Sequence, residues 1–365
     1  MISTLDRQMM VRALQLARRG CYSTRPNPTV GCVLVRNGAV VGEGFTRPAG
    51  GNHAEIEALQ SCKTTGAARG ATAYVSLEPC SHHGKTGPCA DALIEAGVAG
   101  VFVAMRDPNP AVTGQGITRL RQAGVDVVEG LLEVEARAIN PGFYQRMESG
   151  RPRVRVKLAC SLDGRTAMSD GSSQWITGAA ARADVQRWRG RSGAILTGVE
   201  TVIHDDPALT VRDESLNIPA QPLRVIVDSS LRTPPGSRIL EQAGSTVIAY
   251  ARESEQRAAL EAAGAELLLL PGADGRVDLA ALVKELATRQ CNDILVECGA
   301  RLAGSMLEQK LADEIVLYMA PVLLGSNARP LLQLPIDAMD NKVTLQMTDL
   351  RRIGDDLRLT LQPSY

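Results

Sequence analysis

The stretch "LEPCSHHGKTGPC", Leu77 to Cys89, lies between two patterned segments and decides how both are read. Before it, "ATAYVSL" (71–77) reads as a strand. After it, "CADALIEA" (89–96) reads as a helix. Cys80 therefore follows a strand and Cys89 opens a helix, where the helix dipole favours a thiolate. The eight residues between them require a loop that leaves and returns, and Gly84, Gly87 and Pro88 suit that reversal. Working outward, "TVGCVLVRNGAVVGEGF" (29–45) is a hairpin turning at Asn37-Gly38. A helix follows over about 53–62. Beyond the cysteines come the strand "GVFVAM" (100–105), a helix over about 115–122 and the strand "VDVVEG" (125–130). This alternating order predicts an α/β sandwich.

The N-terminus predicts an amphipathic helix with Met9, Met10, Ala13, Leu14 and Ala17 on one face. Charges at Asp6, Arg7 and Arg12 argue against a signal peptide there. Near residue 140 the rhythm breaks. "NPGFYQRMESGRPR" (140–153) reads as a linker, and 365 residues suit two domains, 1–148 and 149–365. The second set of strands is "PRVRVKLAC" (152–160), "GAILTG" (193–198), "LRVIVDS" (223–229), "STVIAY" (245–250), "AELLLL" (265–270), "DILVEC" (293–298) and "EIVLYMAPVLL" (314–324). Residues 252–264 read as a solvated helix.

Composition narrows the function. Lys+Arg and Asp+Glu both number 40, so the basic excess of a nucleic-acid binder is missing. Aromatics at 3% leave few platforms for stacked bases. The expected partner is a small molecule, not a nucleic acid or a membrane, in a cytoplasmic protein. Eight cysteines in a chain this long do not suggest a disulfide framework, and in a reducing compartment close cysteine pairs point to metal.

A catalytic zinc wants three protein ligands and one position left for water. His53, Cys80 and Cys89 supply three, and Glu55 stands two residues past His53. This His-x-Glu…Pro-Cys…Cys arrangement resembles the zinc deaminases, in which a non-ligand Glu moves the protons. A closed structural site completed by Cys62, His82 or His83 is the competing reading, and it leaves Glu55 without a role. The remaining cysteines, Cys21, Cys32, Cys62, Cys160, Cys291 and Cys298, read as small buried hydrophobes. In the second half no G-x-G-x-x-G follows the first strand. "ECGARLAGSML" (297–307) could hold a pyrophosphate at its helix start, with little bulk at Gly299 and Gly304. It could equally be an ordinary strand-to-helix turn.

Several segments carry a closer resemblance. "NPTVGCVLV", "NHAEIEAL" and "ATAYVSLEPCSHHGKTGPC", then "KLACSLDGRTAM", "SQWITG", "DDPALTVR", "ECGARLAGSML" and "APVLLG", are similar to the bifunctional riboflavin-biosynthesis deaminase/reductase family over nearly the full chain. The resemblance implies a cytidine-deaminase-like α/β/α sandwich followed by a dihydrofolate-reductase-like α/β domain. It implies zinc-dependent deamination of a diaminopyrimidinone ribosyl phosphate, then NADPH-dependent reduction of the ribosyl group to ribityl. A deaminase with an inactive reductase-like assembly domain is the alternative. Substrate contacts would fall at Asn27, His82 and Lys85 in the first half. In the second they would fall at Ser173, Arg189, Leu209, Arg212 and Glu297, with Lys157 nearby. Arg189 and Arg212 suit a phosphate, which guanidinium binds bidentately. Cofactor contacts would fall at Ala159, Trp175, Thr201, Asp205 and Ser229, and along Gly299, Ala300, Arg301, Leu302, Ala303, Gly304 and Ser305. A homo-oligomer through the reductase half is implied too. The chain departs from the family pattern at Gly87, where relatives carry Pro, and at His204, where a small residue is expected.

Overall fold

The computed structural model describes residues 2–81, 87–110 and 112–365. The chain divides into two compact units, Met1–Gly150 and Arg151–Tyr365.

The first unit runs α1 (Thr4–Arg19), β1 (Gly31–Arg36), β2 (Ala39–Phe45), α2 (Ala54–Gln60), β3 (Thr72–Val75), α3 (Cys89–Glu95), β4 (Gly100–Val103), α4 (Gln115–Gln122), β5 (Asp126–Glu129), α5 (Glu133–Arg137) and α6 (Pro141–Ser149). A capping box starts α1: the Ser3 hydroxyl accepts from the Asp6 N–H, and the Asp6 carboxylate accepts from the Ser3 N–H. Its buried face is Met10, Ala13, Leu14, Leu16 and Ala17. Leu16 thus joins the predicted face, while Met9 is only partly covered. The sheet order is β2-β1-β3-β4-β5. β1 pairs antiparallel with β2 and β3, and β3, β4 and β5 run parallel. Gly44 lets α2 lie directly on β2, since a Cβ there would meet the Glu57 Cβ at 2.4 Å and the Ala58 N at 2.6 Å. That contact sets the depth of the α2 N-terminus.

The expected linker is instead mostly helix. Pro141 sits at the first turn of α6, and Gly150 closes it in the left-handed conformation at φ 70°. Phe143 and Tyr144 are buried in the first unit's core. The residues that looked like breakers are the helix's own end signals.

The second unit runs β6 (Arg153–Ser161), β7 (Arg165–Ala167), α7 (Ala179–Arg191), β8 (Ala194–Gly198), α8 (Val199–Asp205), β9 (Leu223–Val227), α9 (Arg238–Glu241), β10 (Thr246–Tyr250), α10 (Arg257–Ala262), β11 (Ala265–Leu269), α11 (Leu279–Thr288), β12 (Asp293–Glu297), α12 (Ala300–Glu308), β13 (Glu314–Ala320), β14 (Arg329–Pro330), β15 (Thr344–Ile353) and β16 (Asp356–Ser364). Its nine-stranded sheet has the order β11-β10-β9-β8-β12-β6-β13-β16-β15. Pairing is parallel from β11 to β13 and antiparallel at β16 and β15. Parallel strands covered by helices are apolar on both faces, so β8 is buried at four of its five residues. The predicted strand over 314–324 ends at Ala320. Of 252–264, only Arg257–Ala262 is helical, with Leu260 its one buried residue. The hairpin β15–β16 is an addition to the predicted set.

Candidate functional site

Three elements bring the first constellation together. His53 is the N-cap of α2, Cys89 is the first residue of α3, and Cys80 lies past the end of β3. Two short helices thus aim their N-termini at the Cys80 sulfur, and the Cys89 N–H donates to it at 3.4 Å. The His53 Nδ1 stands 3.6 Å from the Cys80 Sγ and 3.4 Å from the Cys89 Sγ. Zn–S bonds near 2.3 Å and Zn–N bonds near 2.0 Å in a tetrahedron separate N from S by about 3.5 Å. The three donor atoms therefore have the spacing a zinc ion needs, and all lie within 4.8 Å of one another. Among the described residues no fourth Cys, His, Asp or Glu joins them. Cys62, one candidate for closing the site, lies just past the end of α2, and its thiol donates to the Ala58 carbonyl of that helix at 3.6 Å. His82, His83 and Lys85 lie outside the described residues.

Glu55 is 3% exposed. Burial, and then the negative charge of Cys80, push its carboxyl up to about 7. The thiol bond from Cys89 and the approach of His53 draw Cys80 down to about 4 against its burial. Cys89, giving that bond and buried as well, is pushed far up. A divalent cation would take both sulfurs as thiolates. Cys32, Cys160 and Cys291 are buried as expected, whereas Cys21, Cys62 and Cys298 are partly exposed. Asn27 lies in the turn between α1 and β1, its N–H on the Thr24 carbonyl at 2.9 Å.

The second unit carries a cavity of about 1750 Å³, open at the carboxyl ends of its parallel strands. Ala159, Trp175, Thr201, Asp205 and Ser229 line it. So do Ser173, Arg189, Leu209, Arg212 and Glu297, with Lys157 beside them. Trp175 is 68% exposed, so it is not part of the core, and the Arg182 guanidinium lies 4.5 Å over its ring. Gly299 caps α12 with open space around it, and Ala300, Arg301, Leu302 and Ser305 also face the cavity. Ala303 and Gly304 do not. Helical periodicity turns Ala303 into the core, and a Cβ on Gly304 would lie 1.9 Å from the Gln333 carbonyl oxygen. The lack of bulk at Gly304 serves packing, not a pyrophosphate.

Arg189 also differs from expectation. Its Nε and Nη2 bind the two Glu297 oxygens at 2.6 and 3.0 Å, and its Nη1 binds the Thr210 carbonyl at 3.0 Å. A guanidinium so engaged holds a carboxylate in place; it is not a free phosphate clamp. Burial works against the Glu297 charge, but Arg189 holds its carboxyl below the usual range. Burial lowers Lys157 against the pull of the same carboxylate.

Residues 3–105 match the family described as cytidine and deoxycytidylate deaminase zinc-binding region, and residues 152–359 match the RibD C-terminal domain. The chain is 48% identical to the riboflavin biosynthesis protein RibD of Escherichia coli K12, over 98% of this chain and 99% of that protein.

The chain belongs to the RibD family.

The RibD of Haemophilus influenzae is 46% identical over 99% of this chain and 98% of its own. A solved RibD of Acinetobacter baumannii superposes with a TM-score of 0.91 at 43% identity, covering 99% of both chains. A Thermotoga maritima crystal structure, titled a diaminohydroxyphosphoribosylaminopyrimidine deaminase/5-amino-6-(5-phosphoribosylamino)uracil reductase, gives 0.86 at 31% identity and the same coverage. The chain is thus a bifunctional enzyme of riboflavin biosynthesis, with a cytidine-deaminase-like domain and a RibD reductase domain. No described helix is long and apolar enough to cross a membrane.

One buried residue of this RibD chain escaped the sequence reading. Glu78, inside the quoted Glu-Pro-Cys run, is 4% exposed. The available signal was a helix starting at Gly114-Gln115-Gly116, with no side chain there able to cap it. His204, to which sequence assigned no part, also lines the cavity.

Proposed function

We propose that the first unit deaminates 2,5-diamino-6-(5-phosphoribosylamino)pyrimidin-4(3H)-one to 5-amino-6-(5-phosphoribosylamino)uracil, and that the second reduces its ribosyl group to ribityl with NADPH. The observation that carries the first step is a His-Cys-Cys triangle at zinc spacing with Glu55 buried against it. Zinc held by His53, Cys80 and Cys89 would supply an acidified water. Glu55 takes the proton from that water and delivers it to a pyrimidine ring nitrogen. Once the oxygen has added to the ring carbon, Glu55 takes the remaining proton from that hydroxyl and gives it to the amine, which departs as ammonia while the carbonyl forms. Its raised pKa suits a group that must both accept and give a proton near neutrality. Asn27, His82 and Lys85 are proposed as substrate contacts.

For the second step, NADPH would supply the hydride to C1 of the opened sugar. Gly299 at the α12 N-terminus, with Ala159, Trp175, Thr201, Asp205 and Ser229, is the proposed cofactor wall. Glu297, oriented by Arg189, orients the sugar with Lys157 and Ser173, and Arg212 is the cation proposed for the phosphate. Self-association through this unit is supported by the edge strand β15, where Leu345, Met347 and Leu350 are exposed. Eight free thiols and a thiolate metal site suit the cytoplasm.

The deciding experiment follows ammonia release and NADPH oxidation separately. Glu55→Gln is expected to cut ammonia release at least about 100-fold while zinc stays bound. NADPH consumption on the deaminated intermediate should be unchanged. Retained deamination would overturn the mechanism.

A further inference from the structure

Glu78 is a buried carboxylate that neither proposed reaction uses. It precedes Cys80 by two residues, and its own N–H donates to the Met105 carbonyl at 2.9 Å. Its carboxylate accepts four backbone N–H groups from the chain after β4. One oxygen takes Asp107 at 3.2 Å and Gly114 at 2.9 Å. The other takes Gly116 at 3.0 Å and Ile117 at 3.3 Å.

The first-turn N–H groups of a helix need outside acceptors, usually the N-cap side chain. The N-cap of α4 is Gly114, left-handed at φ 75°, and it has no side chain to offer. Glu78 supplies from the β3 end what Gly114 lacks, through charge-assisted bonds about twice as strong as neutral ones. The approach is close. A Cβ on Gly116 would lie 1.9 Å from the Pro79 carbonyl oxygen and 3.4 Å from the Glu78 Oε1. Pro79, the residue joining Glu78 to Cys80, is therefore pressed on α4. On the other side, the Ala90 N–H of α3 donates to the Cys80 carbonyl at 3.1 Å. Arg119 of α4 reaches Asp91 of α3 at 2.8 Å. The segment bearing Cys80 is clamped between α4 and the helix that carries Cys89.

We propose that Glu78 is a positioning residue of the deaminase site. By holding α4 and the chain from Asp107 onto the Pro79–Cys80 segment, it fixes the Cys80 sulfur relative to His53 and Cys89. This rests on the metal reading above. The RibD reductase unit, which lies outside the clamp, provides a control on the same chain.

The test uses full-length protein with Glu78→Gln and Gly116→Ala made separately and cobalt(II) loaded in place of zinc. Glu78→Gln turns an amide NH₂ toward N–H donors; Gly116→Ala forces α4 off Pro79 with the carboxylate left in place. Both variants are expected to shift the thiolate-to-cobalt absorption and to lower kcat for ammonia release about 10–100-fold. NADPH consumption on the deaminated intermediate should stay within about twofold of wild type, which excludes general unfolding. Should Glu78→Gln lose both activities, Gly116→Ala alone decides. A wild-type protein without thiolate-to-cobalt absorption would overturn the metal reading, and this inference with it. With that absorption present, unchanged absorption and kcat in the variants would overturn the positioning role alone, even if thermal stability fell.

Discussion

Glu55 sets the pH behaviour expected of the first reaction. Burial and the Cys80 charge raise its carboxyl to about 7, while a cation held by the neighbouring sulfurs would act in the opposite sense. Only the ionised carboxylate can take the water's proton, so activity is lost as pH falls through its pKa. The acid limb of kcat/KM for ammonia release is therefore expected below pH 7, measured with zinc-loaded protein; a limb above 7 would contradict the base assignment. Arg189 shows how a residue's type can be legible while its task is not. Guanidinium suits phosphate, but here Glu297, 108 residues away in the chain, takes its two-pronged bond. The sequence supplied both residues as site members and could not pair them.

At the scale of elements, motif-bearing strands and helices were readable because their signals are local. The Asn37-Gly38 turn, the helix opening at Cys89 and the apolar parallel strands all appear where pattern placed them. Helix α6 did not, because Pro and Gly mark both loops and helix ends. Its burial gives a direct check. Phe143 is 6% exposed, so Phe143→Ala should cost the first unit about 3 kcal/mol. The urea midpoint for loss of ammonia release should fall, with no change in the midpoint for loss of NADPH consumption. A linker residue would cost nothing. The β15–β16 hairpin was missed for a different reason. β15 is an edge strand with most of its side chains exposed, so no buried face alternates along it. The Gly354-Asp355 turn between the two strands was the usable signal, with Gly354 at φ 63°.

For the whole molecule, two chemistries on two compact units predict separable losses. Stripping metal with a strong chelator should abolish ammonia release and leave NADPH consumption on the deaminated intermediate within about twofold, because among the described residues the only group able to hold a metal lies in the first unit. Re-addition of zinc should restore ammonia release. Loss of both activities would mean that the reductase depends on the metal. The sequence by itself determined the family and the α/β class of both halves, and it singled out His53, Cys80, Cys89 and Glu55 as the candidate zinc site, since each rests on residue types at characteristic spacings. Folding alone decided that α4 is capped from the β3 end by Glu78, that Arg189 grips Glu297, and that Ala303 and Gly304 face the interior. The physical reason is one of range. Spacing along the chain states what a residue can do within a turn or a strand. Its partner across the fold is selected by the packing of helices on sheets, which brings together groups that no local pattern connects.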